Sequence, residues 1–226
     1  MGLDISTEKA SEVYEATMEQ ALSDTWHDVR KKRLTASKFG VIVTRKKDKE
    51  KFILNQLLNE VDLSKVPAVI FGRENEDKAV FDYVQYMNNS GRNVSVYRAG
   101  CVINPNFPWL AASPDRVVHD SVAGFGLVEV KCSFSKRNVS PKEACMDTAF
   151  FCEIVDSAFC LKKDHHYYAQ IQGQLGITGA MFCDFVLYTK KGLGIQRIMF
   201  DEMYWRTMSS KLRCFFLNDF LPVLRG

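Results

Sequence analysis

No C-x-x-C pair occurs in this sequence, although it holds seven cysteines, at positions 101, 132, 145, 152, 160, 183 and 214. An odd set without paired spacing fits neither a disulfide framework nor a zinc or iron–sulfur site, and reads as buried or free thiols in a reducing compartment. No run of about 18 apolar residues is present to span a bilayer. The N-terminus also lacks the basic, apolar, small-residue order of a secretory signal. Both absences point to a soluble, intracellular protein without a membrane partner. An excess of one charge is missing too: 30 Lys and Arg stand against 27 Asp and Glu, for a net charge of +3. Composition therefore announces no nucleic-acid binder, and any basic surface must be local, as at Lys31 to Arg33, Arg45 to Lys51 and Lys162 to Asp164. No serine sits in a nucleophile elbow and no cysteine has a motif-bearing histidine partner, which speaks against hydrolytic triads. Internal repeats and low-complexity segments are absent as well.

What is present is a globular composition. With 46% apolar residues over 226 positions, the chain can bury one sizeable core. We expect a single domain over 1–226, with N-terminal helices over 1–90 and a sheet with further helices over 91–226. Ala10, Val13, Tyr14, Thr17, Met18, Ala21 and Leu22 follow helical spacing until Ser23 and Asp24 close the helix, and Trp26 follows in a short turn. Thr35 is a candidate N-cap for a helix from Ala36. A charged run from Thr44 to Lys51 precedes a helical pattern over 52–61, and Pro67 opens a longer helix that ends at Asn88 to Gly91. From Val94, the short runs "VSVYRAG", "LAAS", "DRVV" and "GLVEVK" read as an antiparallel meander. Helical spacing returns over 141–149 and 165–177, "MFCDFVLYT" and "GIQRIMF" supply strands, and a helix lined by Met203, Met208, Leu212, Phe215 and Phe216 closes the chain. This order predicts an α/β fold of the α+β kind, a central mixed β-sheet flanked by helices.

One stretch carries charge where its neighbours argue for burial. Asp115 and Glu129 have their midpoint at Val122, and Asp120 and Gly124 place a turn there, so a simple hairpin sets the two carboxylates opposite one another. Strand alternation puts Glu129 and Lys131 on one face, with Val128 and Val130 on the other. Two carboxylates held close repel unless a cation lies between them. Oxygen donors suit Mg²⁺, with Mn²⁺ as a substitute. Such an ion acidifies a water and neutralises charge developing on a phosphate, while Lys131 orients or helps deprotonate that water. Phosphodiester hydrolysis follows from these parts. His165 and His166 are poor co-ligands for a metal, because adjacent residues on a helix diverge by about 100°.

The spacing D-x13-E-x-K over Asp115, Glu129 and Lys131, inside "SPDRVV...LVEVKCSF", resembles the PD-(D/E)XK nuclease core, and its lambda exonuclease branch of YqaJ-type viral recombinases in particular. Three more blocks agree in order: "WHDVRKKRLTASKFG" at 26–40 is similar to that family's W-H-x-x-R and T-A-S motif, "FGRENEDKA" at 71–79 to its G-x-x-x-E helix, and "YYAQIQGQL" at 167–175 to its Y-x-A-Q-x-Q helix. The resemblance implies that Asp115, Glu129 and the Val130 carbonyl hold metal, that Lys131 is the catalytic lysine, and that Glu76 faces a second metal position. It also implies that Arg30, Ser37, Ser113 and Gln170 receive a terminal 5′-phosphate, a role that suits the planar fork of arginine and directional hydroxyl and amide groups.

The activity so implied is a Mg²⁺-dependent exonuclease that degrades one strand of duplex DNA from a 5′-phosphorylated end in the 5′-to-3′ direction, releasing mononucleotides in recombination or repair. Two alternatives stand beside it: an RNA-cleaving endonuclease of the same fold, and a catalytically silent DNA-end-binding recombination partner. Members of the family often form a ring around DNA, such as a homotrimer, and often work beside a strand-annealing protein. Both are expectations of the resemblance, and no sequence feature separates a trimer from a monomer.

Overall fold

The structure is a computed structural model that describes residues 3–59 and 63–225. Its frame is a five-stranded mixed sheet in the order β2-β4-β5-β8-β9, formed by β2 (Val94–Arg98), β4 (Arg116–Asp120), β5 (Gly124–Cys132), β8 (Phe182–Thr189) and β9 (Gly192–Met199). Only the β5–β8 pair is parallel, and the other neighbours run antiparallel. Helix α5 (Pro67–Asn89) covers one face, packing Phe71, Val80, Tyr83 and Met87 on Val118, Val128, Val130 and Val186. Helix α7 (His166–Thr178) covers the other through Ile171 and Leu175 on Leu127, Phe185 and Leu187. A second layer, α3 (Ala36–Thr44) and α8 (Glu202–Phe215), packs outside α7 around Phe39, Trp205 and Leu212. The expected mixed sheet flanked by helices is the architecture observed.

The hairpin that organises the sequence forms with the expected register. Arg116 pairs with Val128 and Asp120 with Gly124, so extending the ladder by one residue sets Asp115 opposite Glu129. Asp120 closes the turn by accepting hydrogen bonds at Oδ1 from the N–H groups of Val122 and Ala123, and Gly124 adopts φ 77°, a left-handed conformation that suits glycine. Two residues on, the backbone of Gly126 lies against the buried Phe182 ring, which fills the space a Cβ would need. Gly126→Ala is therefore expected to destabilise the fold by about 1–3 kcal/mol through overpacking, read as a lower denaturant midpoint at unchanged m-value.

Several elements differ from the sequence reading. The first helix, α1, spans only Thr7–Ala16, and Trp26 lies within a further helix, α2 (Asp24–Lys31), whose N-cap is Ser23: its hydroxyl accepts from the Trp26 N–H at 3.3 Å. Ser23 and Asp24 thus open a helix instead of closing one. Thr35 is the N-cap of α3 by backbone position, without a side-chain capping hydrogen bond to the helix N–H groups. "LAAS" leaves the meander: β3 (Leu110–Ala111) pairs in parallel with β1 (Leu34–Thr35), so the N-terminal region contributes a short strand besides helices. The pattern over 52–61 resolves into α4 (Lys49–Phe52) and a π-turn over Ile53–Leu58, while Glu60 and Val61 lie outside the described residues. Helix α6 is a single turn, Pro141–Ala144, and an unforeseen hairpin of β6 (Cys152–Val155) and β7 (Ala158–Leu161) follows it. The closing α8 runs into a π-turn at Phe216–Phe220 and a last helix, α9 (Leu221–Arg225). Among the described residues, no helix is long and apolar enough to cross a membrane.

Candidate active site

The open ends of β4 and β5 form the floor of a cleft of about 1300 Å³, lined among others by Trp26, Arg30, Lys38, Glu76, Asp115 and Lys131. Asp115 immediately precedes β4. Its Oδ2 accepts a 2.7 Å hydrogen bond from the Val130 N–H, which ties the carboxylate to the next strand. Burial pushes the Asp115 carboxyl well above its ordinary range, and the negative charges of Glu129 and Glu76 add to that push against the opposing Lys131 ammonium.

Glu129 is 1% exposed, and its carboxylate is held from three directions. Lys131 Nζ and Gln170 Nε2 donate to Oε1 at 2.5 and 2.6 Å, and Gln174 Nε2 donates to Oε2 at 2.7 Å. Gln170 and Gln174 are one turn apart on α7 and so present their amides from the same face. The Lys131 ammonium also sits 4.7 Å from the centre of the Tyr167 ring. Burial works against the charge on Lys131, but Glu129 and Asp115 outweigh it and hold the ammonium above its ordinary range. The neighbouring Cys132 thiol, on the same strand, is pushed up to about 12 by burial and then by Glu76 and Asp115, so it is no nucleophile.

Glu76 projects from α5 to the same cleft. There Arg116 takes it in an ion pair, Nη1 to Glu76 Oε1 at 2.8 Å, while Nη2 reaches Asp77 Oδ1 at 2.5 Å. The oxygen donors of Asp115, Glu129 and Glu76, with one half-buried lysine among them, are hard and negatively charged. That set suits a divalent ion such as Mg²⁺.

On the cleft's other wall, Trp26 Nε1 donates to the Ser113 hydroxyl at 2.9 Å, and Arg30 Nη1 reaches the same oxygen at 3.4 Å. The Arg30 guanidinium carbon sits over the Trp26 ring, 3.8 Å from its centre. Lys38 lines the cleft beside them, its ammonium lowered by burial and by the Arg30 charge. Ser37 is exposed, with its hydroxyl 3.3 Å from Thr35 Oγ1. Of the four residues expected around a terminal phosphate, the structure thus joins Arg30 to Ser113, gives Ser37 a contact with Thr35, and turns the Gln170 amide to Glu129. Trp26, Lys38, Tyr167 and Gln174 escaped the sequence reading. All four stood inside the quoted blocks, Trp26 and Tyr167 at motif positions, Lys38 directly after T-A-S and Gln174 at i, i+4 spacing from Gln170.

A family model for the YqaJ-like viral recombinase domain matches residues 25–181. Among solved structures, an exonuclease from Laribacter hongkongensis, LHK-Exo, in complex with dAMP is similar at a TM-score of 0.64 and 23% identity, over 86% of this chain and 91% of that one. The shutoff and exonuclease protein from Kaposi's sarcoma-associated herpesvirus is similar at a TM-score of 0.58 and 11% identity, over 92% and 71%. Its relative structure described as a SOX RNA complex gives a TM-score of 0.62 at 12% identity, over 92% and 73%. These likenesses show a shared fold. No curated protein sequence matches.

Proposed function

The chain belongs to the YqaJ-like viral recombinase domain family, and from that membership and the cleft's chemistry we propose that it is a divalent-metal-dependent exonuclease. It hydrolyses one strand of duplex DNA from a 5′-phosphorylated end in the 5′-to-3′ direction and releases mononucleotides for recombination or DNA processing. The observation that carries this reading is the convergence of Asp115, Glu129 and Lys131 at one end of the β4–β5 hairpin, where Asp115 and Lys131 line a cleft that Arg30 and Lys38 line as well and the Glu129 carboxylate lies buried against Lys131. That LHK-Exo shares the fold and was solved with dAMP, a mononucleotide, lends support.

Asp115, Glu129 and the Val130 carbonyl would hold Mg²⁺, or Mn²⁺ in its place, and Glu76 is assigned the second position. When bound, the ion lowers the pKa of a water and neutralises charge on the scissile phosphate. Lys131 contributes a directed donor and a positive charge beside that phosphate. Arg30, Ser37, Ser113 and Gln170 are assigned the pocket for the terminal phosphate, in which the Trp26 ring under the Arg30 guanidinium supports its fork. A phosphate fixed beyond the scissile bond restricts the enzyme to ends. A strand-annealing partner and a ring-shaped homotrimer belong to the same proposal.

End-labelled linear duplex with a 5′-phosphate or a 5′-hydroxyl, circular duplex, and linear and structured RNA, each with Mg²⁺ or with chelator, test the reading together. The phosphorylated duplex should yield mononucleotides only with metal. Because charge-assisted hydrogen bonds contribute about 1.5–3 kcal/mol each, the 5′-hydroxyl end should react at least ~10-fold more slowly. Internal cuts in circles, indifference to the terminus, or preferential RNA cleavage would overturn the exonuclease reading, and metal-independent inertness with intact end binding would favour the silent partner.

A further inference from the structure

We infer that Gln174 is a positioning residue for the metal-binding carboxylate: from α7 it fixes the plane in which the Glu129 carboxyl group is presented to a cation. This rests on the proposed metal site. It concerns a residue that touches neither the substrate nor the reacting atoms.

The two oxygens of Glu129 are unequally used. Oε1 accepts from both Lys131 and Gln170, whereas Oε2 accepts from Gln174 alone. A carboxylate oxygen has two lone-pair sites, so Oε1 is filled and the spare acceptor capacity lies on Oε2. Without Gln174, Oε2 would carry no donor, and the carboxylate would be held through Oε1 alone, free to tilt about that anchored oxygen. A single amide therefore completes the fixing of the carboxylate plane, as the second point at which it is held.

The surroundings of Gln174 argue that this contact is why an amide is kept there. Gln174 is 1% exposed, in the layer that packs Ile171 and Leu175 on the sheet, where an apolar side chain of the same length would otherwise serve. Its Oε1 is buried and, among the described residues, accepts no hydrogen bond. Leaving such an atom unpaired costs about 1–3 kcal/mol. Nothing on the Oε1 side offsets that cost, so the orientation of the amide is set by Glu129. The nearby Gln172 differs, because both its amide atoms are used within the scaffold: Nε2 donates to the Met199 carbonyl at 2.9 Å and Oε1 accepts from the Asp201 N–H at 2.9 Å. Gln172 holds the fold together, and Gln174 holds a carboxylate.

The test compares wild type with Gln174→Met, which keeps length and loses the donor, Gln174→Asn, which keeps the amide but shortens its reach, and Gln172→Met as the scaffold control. Mn²⁺ is titrated into each protein by calorimetry without DNA, crystal structures locate the Glu129 carboxylate, and melting curves report folding. Both Gln174 variants should melt as folded proteins, show Glu129 rotated away from its wild-type plane, and bind Mn²⁺ about 10-fold or more weaker, as removal of an outer-shell partner does. Gln172→Met should melt earlier and bind Mn²⁺ as wild type does. An unmoved carboxylate with wild-type Mn²⁺ affinity in a folded Gln174 variant overturns the inference. If Gln174→Met fails to fold, Gln174→Asn decides. Should wild type itself bind no Mn²⁺, the proposed metal site fails, while the position of Glu129 in the variant crystals still decides whether Gln174 fixes it.

Discussion

Lys131→Ala is expected to lower the rate of strand hydrolysis about 10³-fold while leaving duplex binding within about twofold, because the lost group supplies charge where it develops during reaction and only one cation among many along the backbone track. The geometry sets the size of the effect. The ammonium is anchored to Glu129 at 2.5 Å and rests over the Tyr167 ring, so in the proposed mechanism it would meet the phosphate already oriented, with no reorganisation spent on it. Removing it also leaves the Glu129 carboxylate with only the two amide donors and no cationic partner of its own. Lys131→Arg keeps the charge but replaces a compact ammonium by a planar fork that cannot occupy the same place between Glu129 and Tyr167. It should recover no more than a small part of the rate. Single-turnover hydrolysis of a 5′-phosphorylated duplex, measured beside binding of the same duplex in chelator, separates the chemistry from the affinity. Retention of more than a tenth of wild-type turnover by Lys131→Ala would be incompatible with a catalytic lysine at this position.

How much of this site could be read in the sequence depends on how local each part is. The hairpin register was legible, since Asp120 and Gly124 specify the turn and two-residue alternation then places every side chain, including Glu129 and Lys131 on one face. Helix α5 announced itself by its length and by proline at its start. Local signals misled where a cap residue serves the next element: Ser23 reads as the end of α1 and is the start of α2. The β6–β7 hairpin was hidden because its turn is made by Asp156 and Ser157 at φ 47° and 67°, without the glycine that normally marks such a turn. The parallel β1–β3 pair joins residues more than 70 positions apart and has no local signature at all. Gln174 belongs to the same class. Only tertiary packing of α7 on β5 reveals that its amide meets Glu129, 45 residues away in sequence.

The same limit applies to the largest effect on stability, expected at Arg197, which no motif marked. Under α5, the Arg197 guanidinium bridges two aspartates that are 0% and 1% exposed: Nε and Nη2 donate to Asp184 at 2.8 Å each, and Nη2 pairs with Asp120 at 2.9 Å. When Arg197 is lost, Asp184 keeps the Tyr83 hydroxyl at 2.6 Å, and Asp120 keeps Arg92 at 2.8 Å and the Val122 and Ala123 N–H groups, but the guanidinium that bridges the two carboxylates is gone. Breaking a buried ion pair by removing one member costs about 3–5 kcal/mol, and Arg197→Met should destabilise the fold by that order. The pH dependence carries a second signature. Burial opposes the charge on Asp120, yet the N–H groups of Val122 and Ala123 and the Arg197 guanidinium outweigh it and hold the carboxyl well below its ordinary range. A carboxyl depressed in the folded state contributes stability that is fully present above the unfolded value, near 3.9, and is lost as the pH falls toward the folded one. Wild type should therefore keep its stability down to about pH 4 and lose part of it below. Arg197→Met raises the folded value, so the share of stability linked to Asp120 shrinks and the acid slope flattens. Asp120→Asn should flatten it further at some cost in stability. Denaturant titrations from neutral pH to about pH 3 check both signs, and an acid slope steeper in Arg197→Met than in wild type would show that this network does not set the acid limb.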